Sequence, residues 1–345
     1  MNDKPRVWIS RPTFADVIAR LEPHFEVTAE PEERKFDQAG LAAKLAGQDA
    51  VIVGLKDRIG AAEIAGATRL RIVANLGVGY DNLDLAALSA AGIAASNTAD
   101  VLNESVADYA WALMLGAARR MGPAERWLRA GHWQATEFKA WLGMDVRGRT
   151  LGILGMGRIG RAIARRAGGF GMPVLYHNRS QLPPADERAC GARYVYKQQL
   201  LRESDFLVLV LPFTPQTRHA IGAAELAQMK PTAVLVNVAR GGIVDDAALA
   251  AALREGRLAA AALDVFEGEP AVHPALLELE NALLSPHIAS ATHETRRAMT
   301  ALAVDNVLAL FGHGPHAGRP PTILNPDVLA RGQPGLPPPS KESRP

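Results

Sequence analysis

Along the chain, short apolar runs alternate with longer Ala- and Leu-rich stretches. Residues 7–9, 50–53, 71–74 and 93–95 read as strands, and 14–22, 38–46, 61–66 and 83–91 between them as helices or partial helices. Two parallel strands need a crossover connection, usually a helix, so this alternation predicts βα units and a parallel sheet. Near residue 100 the rhythm breaks. Residues 104–120 form one long helical segment without Gly or Pro before Gly116, and 124–130 continue it after a bend predicted at Gly122-Pro123. A second alternating series follows, with strands predicted at 150–154, 173–177, 192–195, 205–211, 233–238, 259–265 and 282–285. Five of these are nearly continuous apolar runs, the pattern of strands covered by helices on both faces. One more amphipathic helix is predicted at 292–311. The proline-rich segment 331–345 has too little apolar content to join a core and reads as a mobile tail. The fold class is therefore α/β, with two doubly wound parallel-sheet domains in succession.

Composition narrows the class of function. At roughly 150 residues per domain, 345 residues also imply two domains. Lys plus Arg number 38 against 36 for Asp plus Glu, and a net charge of +2 gives no electrostatic case for nucleic acid or an anionic membrane as partner. The single cysteine, Cys190, leaves no intramolecular disulfide and no multi-cysteine metal site, and no metal is expected. No apolar run reaches the roughly 18 residues of a membrane span; the best, 109–118, is flanked by Asp108 and Arg119-Arg120. The first six residues lead into a strand without an apolar signal core, so a cytoplasmic protein is expected.

The strongest local signal is Gly155-Met156-Gly157-Arg158-Ile159-Gly160. It directly follows the strand at 150–154 and opens a helix, which is the context a dinucleotide fingerprint requires. Gly155 permits the tight turn, Gly157 clears the approach of backbone to pyrophosphate, and Gly160 allows close helix–strand packing. The helix N-terminus adds free N–H groups and the positive end of its dipole. About 20 residues further on, an NAD site carries an acid for the adenosine ribose. Here the second strand ends in His177, followed by Asn178-Arg179-Ser180. Without the carboxylate a 2′-phosphate is not repelled, and Arg179 can grip it with help from Asn178 and Ser180. NADP(H) is the cofactor this turn favours, with NAD(H) as the alternative.

In an open α/β sheet, ligands lie beyond the carboxyl ends of the strands. The last three predicted strands end in Ala239-Arg240-Gly241-Gly242, in Phe266-Glu267-Gly268-Glu269-Pro270 and in Pro286-His287. If those strands are neighbours, a cation, an anion and an imidazole converge on one crevice. The set suits hydride transfer to a 2-oxo acid. Arg240 offers paired planar donors to the substrate carboxylate, His287 can protonate the carbonyl oxygen, and Glu269 can orient His287 and stabilise its cationic form.

With these residues in place, the sequence resembles the D-isomer-specific 2-hydroxyacid dehydrogenase family over about residues 5–326. The resemblance is also carried by Asn75-Leu76-Gly77-Val78-Gly79-Tyr80-Asp81-Asn82-Leu83-Asp84, Asn103-Glu104-Ser105-Val106-Ala107, Ala262-Leu263-Asp264-Val265-Phe266-Glu267 and Ser285-Pro286-His287-Ile288. Within the family it is most similar to glyoxylate/hydroxypyruvate reductases, including bacterial 2-ketogluconate reductases, through His287-Ile288-Ala289-Ser290-Ala291-Thr292-His293-Glu294-Thr295 and the Asn178-Arg179-Ser180 turn.

The resemblance implies a flavodoxin-like substrate domain from residues 1–102 plus 288–330 and a Rossmann domain from 103–287, with the active site in the cleft between them. It implies that Leu76, Gly77, Val78, Gly79 and Ser290 join Arg240 and His287 around the substrate, with Val78 and Gly79 presenting backbone N–H groups to its carboxylate. Around the cofactor it places Arg158, Ile159, Pro212, Val238, Asp264 and Ala289 beside the glycines, Arg240 and His287, with Asp264 near the nicotinamide. It also implies a homodimer through the 104–120 helix, and a Trp141 lent to the partner's substrate pocket. Two residues depart from the family pattern: Ala289 where Gly is usual, and Asp108 where a longer acid is common. The expected activity is NADPH-dependent reduction of glyoxylate, hydroxypyruvate or 2-ketogluconate to the D-2-hydroxy acid. The alternatives are another 2-hydroxyacid dehydrogenase using NAD, a phosphite dehydrogenase, which would place a lysine where Val78 stands, and a dinucleotide-sensing corepressor, for which the chain lacks basic tracts.

Overall fold

The computed structural model describes residues 4–330; the proline-rich segment 331–345 lies outside the described residues. The chain divides into two compact units. The first begins with five strands, β1 (Arg6–Ile9), β2 (Glu26–Ala29), β3 (Ala50–Gly54), β4 (Ile72–Leu76) and β5 (Ala94–Ser96), all parallel and in the order β2-β1-β3-β4-β5. That is the flavodoxin-like order, whose ligand crevice lies where the strand order reverses. The connecting helices are α1 (Ala15–Ile18), α2 (Gln38–Leu45), α3 (Ala61–Ile64) and α4 (Leu85–Ala90). The hydrophobic pattern does not reveal β2. Its sequence Glu-Val-Thr-Ala is polar and largely exposed because it is an edge strand with little to bury.

The second unit, Asn103–Ala291, opens with α5 (Asn103–Ala118) and α6 (Met121–Arg129). The break between them falls at Arg120, whose φ is 54°, rather than at Gly122-Pro123. Pro123 sits in the first turn of α6, where a missing N–H leaves no helical bond unmade. The long α5 turns its apolar face into its own unit: Trp111 is buried, stacks on Phe170 at 4.6 Å and donates to the Ile163 carbonyl. A run of large exposed apolar side chains, Met121, Leu128, Trp133, Phe138 and Leu142, comes after it.

Seven strands follow, β6 (Leu151–Leu154), β7 (Val174–His177), β8 (Ala192–Tyr194), β9 (Phe206–Leu209), β10 (Val234–Asn237), β11 (Ala260–Leu263) and β12 (Ala282–Leu284). They pair in parallel in the order β12-β11-β10-β9-β6-β7-β8, so the order reverses between β6 and β9. Interleaved are α7 (Arg158–Ala167), α8 (Pro184–Cys190), α9 (Lys197–Glu203), α10 (Ala223–Leu226), α11 (Asp246–Arg254) and α12 (Pro274–Leu277). Strands β6, β9, β10 and β11 are buried at every position, as their continuous apolar runs require.

The chain returns to the first unit at Thr292, not at 288. Ile288 and Ala289 stay behind because both donate their N–H groups to the Asp264 carboxylate of the second unit. Thr292 then caps α13 (His293–Leu310), accepting from Thr295 N, and α14 (Asp327–Ala330) follows. Alternation along the strands sorts the first unit's core into two faces. Val7, Ile9, Ile52 and Ile72 pack with Ala303, Val304 and Val307 of α13, while Trp8, Val51, Val53 and Val73 pack with Leu41, Leu45 and Leu88. Among the described residues no helix is long and apolar enough to cross a membrane.

The returning segment is fastened by buried Asn325, which accepts from Ala95 N at 2.8 Å and donates to the Ile93 carbonyl at 2.9 Å and to Ser89 Oγ at 3.0 Å. Asn325→Ala leaves those backbone groups buried and unpaired. The expected loss is about 2–3 kcal/mol, read as a drop of several degrees in Tm by calorimetry.

Candidate active site

The glycine loop follows β6, and each of its glycines is required for a different reason. Gly155 has φ of 105°, donates to the His177 carbonyl at 3.0 Å, and a Cβ there would lie 2.7 Å from the Val210 carbonyl carbon and oxygen. A Cβ at Gly160 would lie 2.4 Å from the Gly155 carbonyl oxygen. The fold alone therefore requires both. Gly157 is different: it has ordinary negative φ at the N-cap of α7, and a Cβ there would meet no protein atom within 4 Å. The space it leaves open lies beside the first-turn N–H groups of α7, which have no intrahelical acceptor. A pyrophosphate fits that cradle.

Asn178, expected to help a phosphate, accepts from Met156 N at 2.6 Å through Oδ1 and so holds the loop itself. His177, where an acid would stand, is half-buried and bonded through Nδ1 to the Val195 carbonyl. Arg179 and Ser180 are exposed, and Arg179 forms no hydrogen bond or ion pair among the described residues. Pro212 lies in the loop after β9, its carbonyl accepting from Thr217 Oγ1 at 2.8 Å. Arg158 is exposed and Ile159 half-buried on the first turn of α7.

Strands β10, β11 and β12 are adjacent, so the three loops carrying Arg240, Glu269 and His287 leave one edge side by side. His287 Nδ1 lies 2.8 Å from Glu269 Oε2, with the two side chains 31% and 30% exposed. A carboxylate can only accept, so Nδ1 carries the proton and Nε2 is left to exchange one with a ligand. The other carboxylate oxygen accepts from Phe266 N at 2.9 Å. Burial on its own would push the Glu269 carboxyl up, but the hydrogen bond and charge of His287, the Phe266 N–H and the charge of Arg240 more than offset it. The group is held below the ordinary carboxylate range.

Arg240 is half-buried, with one guanidinium nitrogen donating to the Ala239 carbonyl. Its turn is shaped by Asn237, whose amide donates to the Arg240 carbonyl and accepts from Ala239 N. The following Gly241 has to be glycine, since a Cβ would lie 1.7 Å from the Phe266 carbonyl oxygen.

His287 has φ of 55°, the left-handed region, and Asp264 holds it there. The Asp264 carbonyl accepts from His287 N, and its carboxylate accepts from Ser285 Oγ at 2.7 Å, Ile288 N at 2.9 Å and Ala289 N at 2.8 Å. Expected beside a nicotinamide, Asp264 is fully buried and folds the turn that presents His287. Ala289 and Val238 are also buried, and Ser290 is half-buried in the turn closed by Ala291 N and the Ile288 carbonyl. Tyr109 of α5, which no sequence signal marked, bonds Ser285; burial and the Asp264 charge push its phenol up despite that bond.

In the first unit, the loop Leu76–Gly79 has each carbonyl after Leu76 taken. Thr98 N donates to Gly77 O, the Asn97 amide to Val78 O at 2.8 Å, and the Asn75 amide to Gly79 O at 2.9 Å. In a trans peptide the N–H points opposite to the C=O. Pinning the Gly77 and Val78 carbonyls therefore aims the N–H groups of Val78 and Gly79 away from the protein's own acceptors. Two adjacent N–H groups fixed in this way can donate together to an anion. Trp141 packs edge-on against Trp127 at 5.5 Å, with the Arg120 guanidinium 5.2 Å from its ring, half-buried in its own chain.

Comparison with known proteins identifies the family. Residues 111–289 match the family model described as D-isomer specific 2-hydroxyacid dehydrogenase, NAD binding domain. A glyoxylate reductase of Thermococcus gammatolerans is 46% identical over 338 residues, covering 96% of this chain and 99% of the relative. One from Pyrococcus furiosus is 44% identical over 337 residues, covering 96% and 99%. Among solved structures, an NADPH-dependent glyoxylate/hydroxypyruvate reductase from Sinorhizobium meliloti in complex with NADP and malonate has a TM-score of 0.81 and 38% identity, covering 93% of this chain and 97% of that one.

The three glycines should separate by experiment. Gly160→Ala overpacks the loop and should lower Tm by several degrees, a cost of about 1–3 kcal/mol. Gly157→Ala should leave Tm unchanged yet weaken dinucleotide binding by about tenfold or more, roughly 1.4 kcal/mol upward, in a fluorescence titration. Equal binding by Gly157→Ala and wild type would mean that no ligand occupies the cradle.

Proposed function

The chain belongs to the D-isomer specific 2-hydroxyacid dehydrogenase family, and from that premise we propose that it reduces glyoxylate and hydroxypyruvate to the corresponding 2-hydroxy acids, of D configuration where a stereocentre forms, with NADPH preferred over NADH. The observation that carries the reading is the His287–Glu269 pair at 2.8 Å, beside Arg240, at the ends of three adjacent strands in the unit that also bears the glycine loop.

The nicotinamide dinucleotide, when bound along the glycine loop and the N-terminus of α7, supplies or accepts the hydride. Everything else falls to side chains and backbone. Arg240 offers a planar pair of donors to the substrate carboxylate. His287 enters the reduction protonated on both nitrogens and gives the Nε2 proton to the carbonyl oxygen as negative charge develops there. Glu269 holds Nδ1 and, kept ionised by its surroundings, stabilises the imidazolium. In the oxidation direction, neutral Nε2 takes the hydroxyl proton. The substrate panel extends to 2-ketogluconate, which shares the 2-oxo-carboxylate that these groups would read. A dinucleotide-sensing protein without catalysis would bind the cofactor but turn over 2-oxo acids feebly, so turnover itself separates the two readings.

The pH profile tests the mechanism. Reduction needs the His287 cation, so kcat/KM for glyoxylate should fall on the alkaline side. Glu269→Gln removes the anion that favours that cation, so this limb should move to lower pH. A limb that stays in place would show that the pair is not coupled in catalysis.

The cofactor preference rests on Arg179, exposed where no carboxylate stands. Arg179→Ala should raise KM for NADPH about ten- to a hundredfold while changing KM for NADH little, as expected for a charge-assisted contact of roughly 1.5–3 kcal/mol. Equal losses with both cofactors, or a wild type that prefers NADH, would remove the NADPH assignment.

A further inference from the structure

Glu267 stands two residues before Glu269, and none of the chemistry above uses it. Its carboxylate accepts from an Arg218 guanidinium nitrogen at 3.0 Å and from His219 Nε2 at 2.9 Å, and its N–H donates to Asp246 Oδ2 at 3.0 Å. Arg218 and His219 belong to the loop after β9, and Asp246 is the first residue of α11, which follows the Arg240 turn. The same three loops are laced by backbone. His219 N donates to the Gly242 carbonyl at 2.7 Å, Ile221 N to Ile243 O, and Asp245 N to Ile221 O. His219 itself sits at φ of 51° to make these bonds. Gly241 is pressed against the Phe266 carbonyl, so the Arg240 and Glu269 loops touch directly.

Between Glu267 and Glu269 lies only Gly268, with φ of 84° and no atom within 4 Å of where its Cβ would be. Its carbonyl accepts from Ala271 N at 3.3 Å, but no side chain at this residue packs to fix the direction of the chain. The placement of Glu269 is therefore set by its own bonds to Phe266 N and His287, by the turn closed at Ala271 and by what holds Glu267.

We propose that Glu267, clamped by Arg218 and His219, is a positioning residue that holds Glu269 in register with His287 across the Gly268 swivel. The inference rests on the reading of Glu269–His287 as the proton-transfer pair. Surface ion pairs contribute little to stability, and these side chains are 57%, 36% and 32% exposed for Arg218, Glu267 and His219, so the clamp acts on geometry more than on folding. The groups facing Glu267 are Arg218 and His219 from the β9 loop, Asp246 from α11, and Asp245, 3.9 Å from His219 Nδ1. His273 acts on Asp246, and burial pushes the Asp246 carboxyl up. The bonds from His219 and Arg218 hold Glu267 below the ordinary carboxylate range, so its carboxylate stays ionised at neutral pH.

The test measures pH profiles of kcat and kcat/KM for NADPH-driven glyoxylate reduction in the full chain. It compares wild type, Glu267→Gln, His219→Gln, Arg218→Lys and, as reference, Glu269→Gln. For Glu267→Gln, kcat should fall about three- to tenfold, a fraction of the roughly hundredfold that misplacement by an ångström can cost. Its alkaline limb should move in the same direction as that of Glu269→Gln but less far, with KM for NADPH unchanged. Arg218→Lys, which keeps a cation, should retain most of the rate, and His219→Gln should show a smaller shift of the same sign. If Glu269→Gln shifts the limb while Glu267→Gln and His219→Gln leave it in place, the clamp has no positioning role, whatever their effect on Tm. If Glu269→Gln itself leaves the limb unmoved, the proton-transfer reading fails and the clamp with it.

Discussion

Asp264 is fully buried at the end of β11, and a carboxyl group removed from water must be met by hydrogen-bond partners. Here the donors are Ser285 Oγ and the N–H groups of Ile288 and Ala289, all from the segment that leaves the neighbouring strand β12. Satisfying one buried carboxyl group therefore folds a tight turn, and the residue at the centre of that turn is driven into the left-handed region. That residue is His287. A histidine in a sparsely allowed conformation persists only where its surroundings overdetermine it, and this network does so from both sides. The bond to Glu269, the exposure of Nε2 chemistry at the strand edge and the late departure of the chain toward α13 all follow from the same anchor.

Much of this was legible in the sequence because parallel sheets are chemically simple. Strands covered on both faces must be apolar throughout, so most strands of the second unit stand out as runs, and residues just past their carboxyl ends are marked as candidates by position alone. What the pattern could not show falls into two kinds. Where burial is slight, the signal is absent: β2 is a polar edge strand, and the break at Arg120 is a backbone event without a glycine or a misplaced proline to announce it. Where a polar side chain serves backbone rather than ligand, its partner is distant in sequence. Asn97 on the Val78 carbonyl, Tyr109 on Ser285 and Asp264 on the 285–289 turn are of this kind. Asn178 shows the converse hazard. It sits where a phosphate contact is expected, yet its oxygen holds the glycine loop.

The glycines divide along the same line between what the fold demands and what a ligand demands. Gly155, Gly160 and Gly241 are each fixed by a backbone atom closer than a Cβ could tolerate, so they would be glycine in any protein with this packing. Gly157 is constrained by nothing in the chain. A residue that packing leaves free, on a loop where its neighbours are tightly specified, points outward to the molecule that approaches it.

In the Leu76–Gly79 loop of the first unit, the carbonyls are pinned by two asparagine amides and the Thr98 backbone N–H. Binding an anion by backbone N–H groups is effective when the donors are already oriented, because no reorganisation is then required as charge arrives. A peptide next to glycine is free to rotate, and rotation would present a carbonyl to the anion in place of an N–H. Capping each carbonyl from behind prevents this, and the cap must be a donor. Lysine or arginine would donate but place a full charge beside the anion and change its affinity and selectivity; aspartate can only accept. The amides of Asn75 and Asn97 donate without charge, and Asn82 in turn donates to the Asn75 oxygen, fixing which end of that amide faces the loop. The neutral amide of Asn97 thus sets the direction of the Gly79 N–H, and the Thr98 N–H that of Val78.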